Sequence, residues 1–147
     1  MAEAKKDLHT LIRLRKWDVD EKQRSLAVLL RQEEEVIARQ KALEEEIQSE
    51  IVFAGTAPVE HRQTLAPYLK RSDDFRIRLL AALDEVRRQI AVAQEHLAES
   101  YRRLKTFEIT QKQRDDRENA EEARLETIEL NELGLDLHRR KNAPGLV

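Results

Sequence analysis

Apolar residues in the first third of the chain recur at alternating steps of three and four. The series runs Leu8, Ile12, Arg15, Val19, Lys22, Leu26, Leu29, Glu33, Val36, Gln40, Leu43, Ile47, Glu50, and eight of its thirteen members are apolar. The residues between them are mostly Glu, Arg, Lys and Gln. Such a seam with charged flanks, kept up for about six heptads, belongs to a helix that packs against another helix. A strand is excluded, because strand faces repeat every two residues. The period of 3.5 implies a gentle left-handed supercoil. A first helix is predicted over about 4–54.

The pattern breaks at Ala54-Gly55-Thr56-Ala57-Pro58. Gly suits the left-handed residue that ends a helix, and Pro suits the start of the next. A short helical piece is expected over roughly 58–71, kinked or interrupted at Pro67. Ser72-Asp73-Asp74 offers a further capping signal. The connection is therefore placed at 55–72 and a second helix at about 73–141.

That second helix carries its own seam. Leu79, Leu83, Val86, Ile90, Ala93, Leu97, Ser100, Leu104 and Phe107 lead to four polar members, Gln111, Arg114, Glu118 and Glu121. Leu125, Ile128, Glu132 and Leu135 follow, so eleven of the seventeen are apolar. Gly134 is an unusual helix-interior residue. Arg139, Arg140 and Lys141 sit where the helix dipole favours cations, and Pro144-Gly145 stops the helix.

Neither seam can be buried alone, and a tethered partner lies one short break away. The fold class expected is all-α: two long helices in an antiparallel coiled-coil hairpin with a short kinked helical connection, forming a single domain over 1–147. With Glu50 near Phe75, register sets Leu8 near Arg117. The helices would be about 65 Å and about 100 Å long. A C-terminal stretch would then overhang the N-terminus with Leu125, Ile128, Leu130, Leu133, Leu135 and Leu137 on it. Exposed apolar residues on an unpaired helix point to a partner surface; a homodimer is the alternative cover.

Composition narrows the functional classes. Of 147 residues 38% are charged, 4% are aromatic, three are Gly, three are Pro and none is Cys. So few turn formers exclude a sandwich or barrel. Without Cys there is neither a disulfide scaffold nor a thiolate metal site. A net charge of −2 gives no global attraction to nucleic acid. The longest apolar runs, Leu26 to Leu30 and Leu79 to Leu83, are far short of the ~18–20 residues that span a bilayer. The opening Met1-Ala2-Glu3-Ala4-Lys5-Lys6-Asp7 has no apolar core, so no signal peptide is read and a cytosolic location is expected.

No constellation for catalysis stands out. His9, His61, His96 and His138 are far apart and lack the spacing of a helical metal site. Asp73-Asp74 and Asp115-Asp116 are adjacent pairs, which point about 100° apart on a helix. Asp18-Val19-Asp20 opens like a calcium loop, but no Gly follows. Three isolated Gly make no phosphate-cradling loop. The basic clusters Arg102-Arg103-Lys105, Lys112-Arg114-Arg117 and Arg139-Arg140-Lys141 are interleaved with acids, as on solvated helix faces, or serve to dock acidic partners. Trp17 flanks the first seam and is either an anchor for a partner or a ring stacked near Phe107. No enzyme activity, cofactor or metal is expected.

Several features together resemble a known family. Leu8-x2-Leu11-x2-Leu14 is followed by Val19-Asp20, a long heptad helix, a Gly/Pro break and a second helix. That helix carries the Gln/Arg/Glu-rich stretch from Tyr101 to Glu118, then Glu129-Leu-Asn-Glu-Leu before a basic end. Over nearly its whole length the chain resembles FliJ, the small coiled-coil component of the bacterial flagellar type III export apparatus, and its injectisome counterparts. The resemblance implies an antiparallel coiled coil similar to the long helices of a rotary ATPase gamma subunit, without activity of its own. It implies insertion into the export ATPase hexamer and promotion of ring assembly. It also implies contact with the cytoplasmic domain of the export gate, escort of export chaperones, and a role in flagellum biogenesis and motility. The location implied is cytoplasmic, reaching the inner membrane peripherally through the apparatus.

Carried onto this sequence, the ATPase-binding end comprises Leu8, Leu11, Trp17, Arg114, Glu118, Leu125 and Ile128. The gate-binding residues are Leu43, Phe75, Leu79 and Ala82. Glu46 and Glu50 stand where the resemblance leads one to expect aromatic residues. The chain alone is expected to be a monomer that binds no nucleic acid. The competing reading is a homodimeric coiled-coil scaffold or an injectisome stalk protein. A prefoldin-like chaperone would need β-hairpins between its helices, and 54–72 has no alternating run to build them.

Overall fold

The computed structural model describes residues 2–143 and 145, and the side chains of 8–143 among them. Three helices follow one another: α1 (Ala2–Thr56), the single turn α2 (Val59–Arg62) and α3 (Leu65–Asn142). No strand occurs among the described residues, so the all-α class is observed. The chain falls into two compact units, Met1–Leu14 with Arg103–Val147, and Arg15–Arg102.

The second unit is an antiparallel helical hairpin. Its register is set by two ion pairs between the arms. Arg87 Nε donates to Glu33 Oε1 at 3.0 Å, and Arg76 Nη2 donates to Glu44 Oε2 at 2.9 Å. Eleven residues forward on α1 thus correspond to eleven back on α3. The register puts Glu50 level with Lys70 rather than with Phe75. It also brings Ile47 within one residue of Ser72 and Val19 within one residue of Ser100, and all four side chains are buried. Along α1 the less exposed positions in this unit include 15, 19, 22, 26, 29, 33, 36, 40, 43 and 47, which are the heptad members read from sequence, together with Asp18, Glu21 and Ala54 beside the series. Along α3 they include 79, 83, 86, 90, 93, 97 and 100. The seam is thin, and no side chain falls below 2% exposure. Helical stability here comes from burying one apolar stripe per arm rather than from a layered core.

The connection is shorter than the predicted 55–72. α1 runs through Gly55 to Thr56, and no glycine has a positive φ. Pro58, at φ −54° and ψ 155°, performs the break instead. Its ring disfavours the helical conformation at Ala57, so α1 stops without a left-handed cap. Thr56 Oγ1 donates to the Phe53 carbonyl at 3.1 Å, occupying one of the carbonyls that a helix end leaves unpaired. The chain then makes the turn α2, where the His61 amide donates to the Pro58 carbonyl at 2.9 Å. Phe53 meets His61 edge to face, with ring centroids 5.5 Å apart. Ala54 and Ala57 are buried beneath the turn.

α3 begins at Leu65, eight residues before the predicted 73. Pro67 is its third residue, inside the first turn, where amides have no helical acceptor to lose. It therefore neither kinks nor interrupts the helix. Ser72 is no cap but a buried seam residue, and Asp73 pairs with Arg76 at 2.9 Å one turn on. No described helix is long and apolar enough to cross a membrane.

In the first unit Leu8, Leu104 and Gln111 are buried and Ile12 and Phe107 are half-buried. An isolated helix cannot cover a leucine to 7% exposure, so the start of α1 packs against α3 here. Gln111 is a polar seam member. Its Nε2 donates to Asp115 Oδ1 at 2.8 Å, while its Oε1 is buried without a hydrogen-bond partner. Half-burial ends at Asp115 and does not reach Arg117. The helix α3 ends at Asn142; Pro144, part of the expected stop, lies outside the described residues.

Candidate functional site

From Asp116 to Ala143 every residue of the first unit is exposed. This terminal segment of α3 is the predicted overhang. It has good reason to be helical, since Ala, Glu, Leu and Arg dominate it and Gly134 is its weakest former. Four ring-free side-chain bonds brace it locally. Arg124 grips Glu121 with Nη2 to Oε1 at 2.6 Å and Nε to Oε2 at 3.1 Å. Thr127 Oγ1 donates to the Ala123 carbonyl at 2.8 Å, and Arg140 lies 3.4 Å from Asp136. Hydrogen bonding to Arg124 holds the Glu121 carboxyl below its usual range and raises the Arg124 guanidinium in turn.

The apolar content of this segment is not spent within the unit. Leu125, Ile128, Leu130, Leu133, Leu135 and Leu137 all face solvent, with Leu130 at 67% exposure. Scattered surface leucines are ordinary, but six exposed apolar side chains on thirteen residues of one helix are more than a solvated helix needs and are of the kind that partners cover.

The residues assigned to the ATPase-binding end divide between the units. Leu8, Leu11, Arg114, Glu118, Leu125 and Ile128 belong to the first, and Trp17 belongs to the second. Leu8 is committed to packing, whereas Leu11, Arg114, Glu118, Leu125 and Ile128 are exposed. At 100° per residue, Arg114, Glu118, Leu125 and Ile128 share a face of α3 about 80° wide. Trp17 is 60% exposed and presents its ring outward.

The residues assigned to the gate contact lie together in the second unit. Leu43 is adjacent to Glu44, which pairs with Arg76, so Leu43 is level with the Phe75–Leu79 turn. Leu79 is buried in the seam and Leu43 half-buried; Phe75 and Ala82 are exposed. Arg76 beside them is raised above its usual range, chiefly by its hydrogen bond to Glu44.

The site residues read from sequence omit one feature. Leu130, Leu133 and Leu137 form a second apolar row, and Gly134 has open space where a Cβ would stand. The sequence already places these three among the overhang's apolar residues, though off the heptad seam and outside the residues carried over to the ATPase-binding end.

The family model described as Flagellar FliJ protein matches residues 4–143. The chain belongs to that family, whose members are components of the flagellar export apparatus. No curated protein and no solved structure matches it.

Proposed function

We propose that this member of the FliJ family is a non-catalytic adaptor of the export machinery that binds the export ATPase hexamer and promotes assembly of its ring. The observation that carries this reading is the wholly exposed terminal segment of α3 with its six unburied leucine and isoleucine side chains. Leu11, Arg114, Glu118, Leu125 and Ile128 make the contact, Leu8 holds α1 beside it, and Trp17 adds an outlying anchor. Phe75 and Ala82, on a turn shaped by Leu43 and Leu79, meet the cytoplasmic domain of the export gate. Export chaperones are escorted by the same chain. It works in the cytoplasm, held at the inner membrane only through the apparatus, in flagellum biogenesis and hence motility.

The test uses the purified chain and its cognate export ATPase. The chain raises the hydrolysis rate or the yield of rings, and the chain truncated after Arg117 does not. No change in either, at concentrations where the two proteins co-elute, rejects the reading. The homodimeric scaffold is supported by the same exposed leucines. Sedimentation separates the two: a stable dimer that buries the terminal segment favours the scaffold, and a monomer favours the adaptor.

A further inference from the structure

The terminal segment of α3 is organised around its axis in a way that its exposed leucines alone do not convey. At 100° per residue, Leu125, Ile128 and Leu135 form one row. Leu130, Leu133 and Leu137 form another, about 160° away. All six are exposed, so neither row is used by the chain itself. From Glu118 to Asp136 there are seven acidic residues, Glu118, Glu121, Glu122, Glu126, Glu129, Glu132 and Asp136, against Arg124 as the one basic residue. All seven fall within an arc of about 140°, centred midway between the two apolar rows. A shallow hollow along this strip is lined by Glu129, Glu132, Leu133, Leu135, Asp136 and Arg139. Arg139 and Arg140 continue the strip with reversed sign. The opposite side carries Ala120, Ala123, Thr127, Asn131 and Gly134, all small or neutral.

A solvated helix has no need to gather its acids. Like charges at i,i+4, such as Glu118 with Glu122 and Glu122 with Glu126, lower helix stability. The arrangement becomes favourable only when opposite charge is supplied along the strip. A flat apolar surface would meet one leucine row and leave the other wet. A second copy of this chain would bring its own acidic strip against this one.

We propose that the terminal segment docks in a groove of a partner protein whose two apolar walls receive the two leucine rows and whose floor carries a line of Lys and Arg facing the acidic strip. The floor ends in an acidic patch opposite Arg139 and Arg140, so the segment enters in one direction only. This names the chemistry of the receptor and rests on the ATPase-docking reading for the identity of the partner. The charged strip sets association rate and orientation, and the leucine rows set residence time.

The test places the photo-crosslinker p-benzoylphenylalanine at position 129, between the rows, in the full-length chain in its own cells. The expected product joins this position to a segment of another protein that carries Lys or Arg beside apolar residues. A product with the export ATPase at a segment without basic residues overturns the groove and leaves the ATPase reading standing. A product with a different protein at a basic segment does the reverse. A product with a second copy of this chain, or no product, overturns the groove. A second arm compares the full chain with the triple variant Glu122→Gln, Glu126→Gln and Glu129→Gln, using the export ATPase as probe. The variant is expected to associate about tenfold more slowly at low ionic strength, with a flatter salt dependence. Association as fast as that of the unaltered chain overturns the proposal.

Discussion

Arg76 of α3 and Glu44 of α1 face each other across the hairpin as a two-point pair, Nη2 to Oε2 at 2.9 Å with Nε bound to Oε1. Asp73 holds the same guanidinium from one turn below, Nη1 to Oδ1 at 2.9 Å. Both partners are solvated, so the arrangement fixes register more than it adds stability. Glu44→Gln should lower the unfolding midpoint slightly at low salt, and the difference from the unaltered chain should vanish in about 1 M NaCl. A difference that persists at high salt would show that the pair acts other than through charge.

Stability should instead track the seam. Ile47 is 4% exposed, and Ile47→Ala should cost about 2 kcal/mol or more in urea unfolding. Val28, on the same helix but 49% exposed, should change stability by no more than about 0.5 kcal/mol when replaced by Ala.

Gln111 interrupts the apolar seam of the first unit and leaves Oε1 buried and unpaired. Gln111→Leu removes that unmatched acceptor and adds apolar area. It should raise stability by about 1 kcal/mol. Polar seam residues also discriminate between registers, so the same variant should broaden the amide spectrum around 104–111 if Gln111 specifies the pairing.

Gly134 sits in an exposed helix with nothing near the position of a Cβ. In the free chain Gly134→Ala should strengthen the terminal helix by about 0.5–1 kcal/mol, read as slower hydrogen exchange over residues 130–138. Faster exchange would mean that the glycine is required by the helix itself.

The Glu121 carboxyl lies below its usual range because Arg124 donates two hydrogen bonds to it. A carboxyl depressed in the folded state stabilises above its unfolded value, and that contribution is lost as pH falls through the folded value. The contribution of this pair to the terminal helix should therefore hold through mildly acidic pH and be lost only below the ordinary glutamate range. In a carbon-13 titration, Arg124→Ala should move the Glu121 midpoint upward. An unmoved midpoint would show that the pair does not form in solution.

The chain's periodicity determined the helices and the two seams. An apolar stripe on a long helix must be buried against something, and the nearest partner is the other arm. The same reading went astray at the turn, where local signals are degenerate. Gly55, Pro58, Pro67 and Ser72-Asp73-Asp74 can each begin or end a helix. Tertiary packing chose among them, because starting α3 at Leu65 brings Ser72 into the seam near Ile47 and extends the buried interface. Register likewise needed the folded hairpin, since a heptad seam tolerates sliding by a whole repeat until particular pairs such as Glu33 with Arg87 and Glu44 with Arg76 oppose one another. Which leucines stay in water was also a three-dimensional outcome, because only the pairing of α1 with α3 leaves one length of helix without a neighbour.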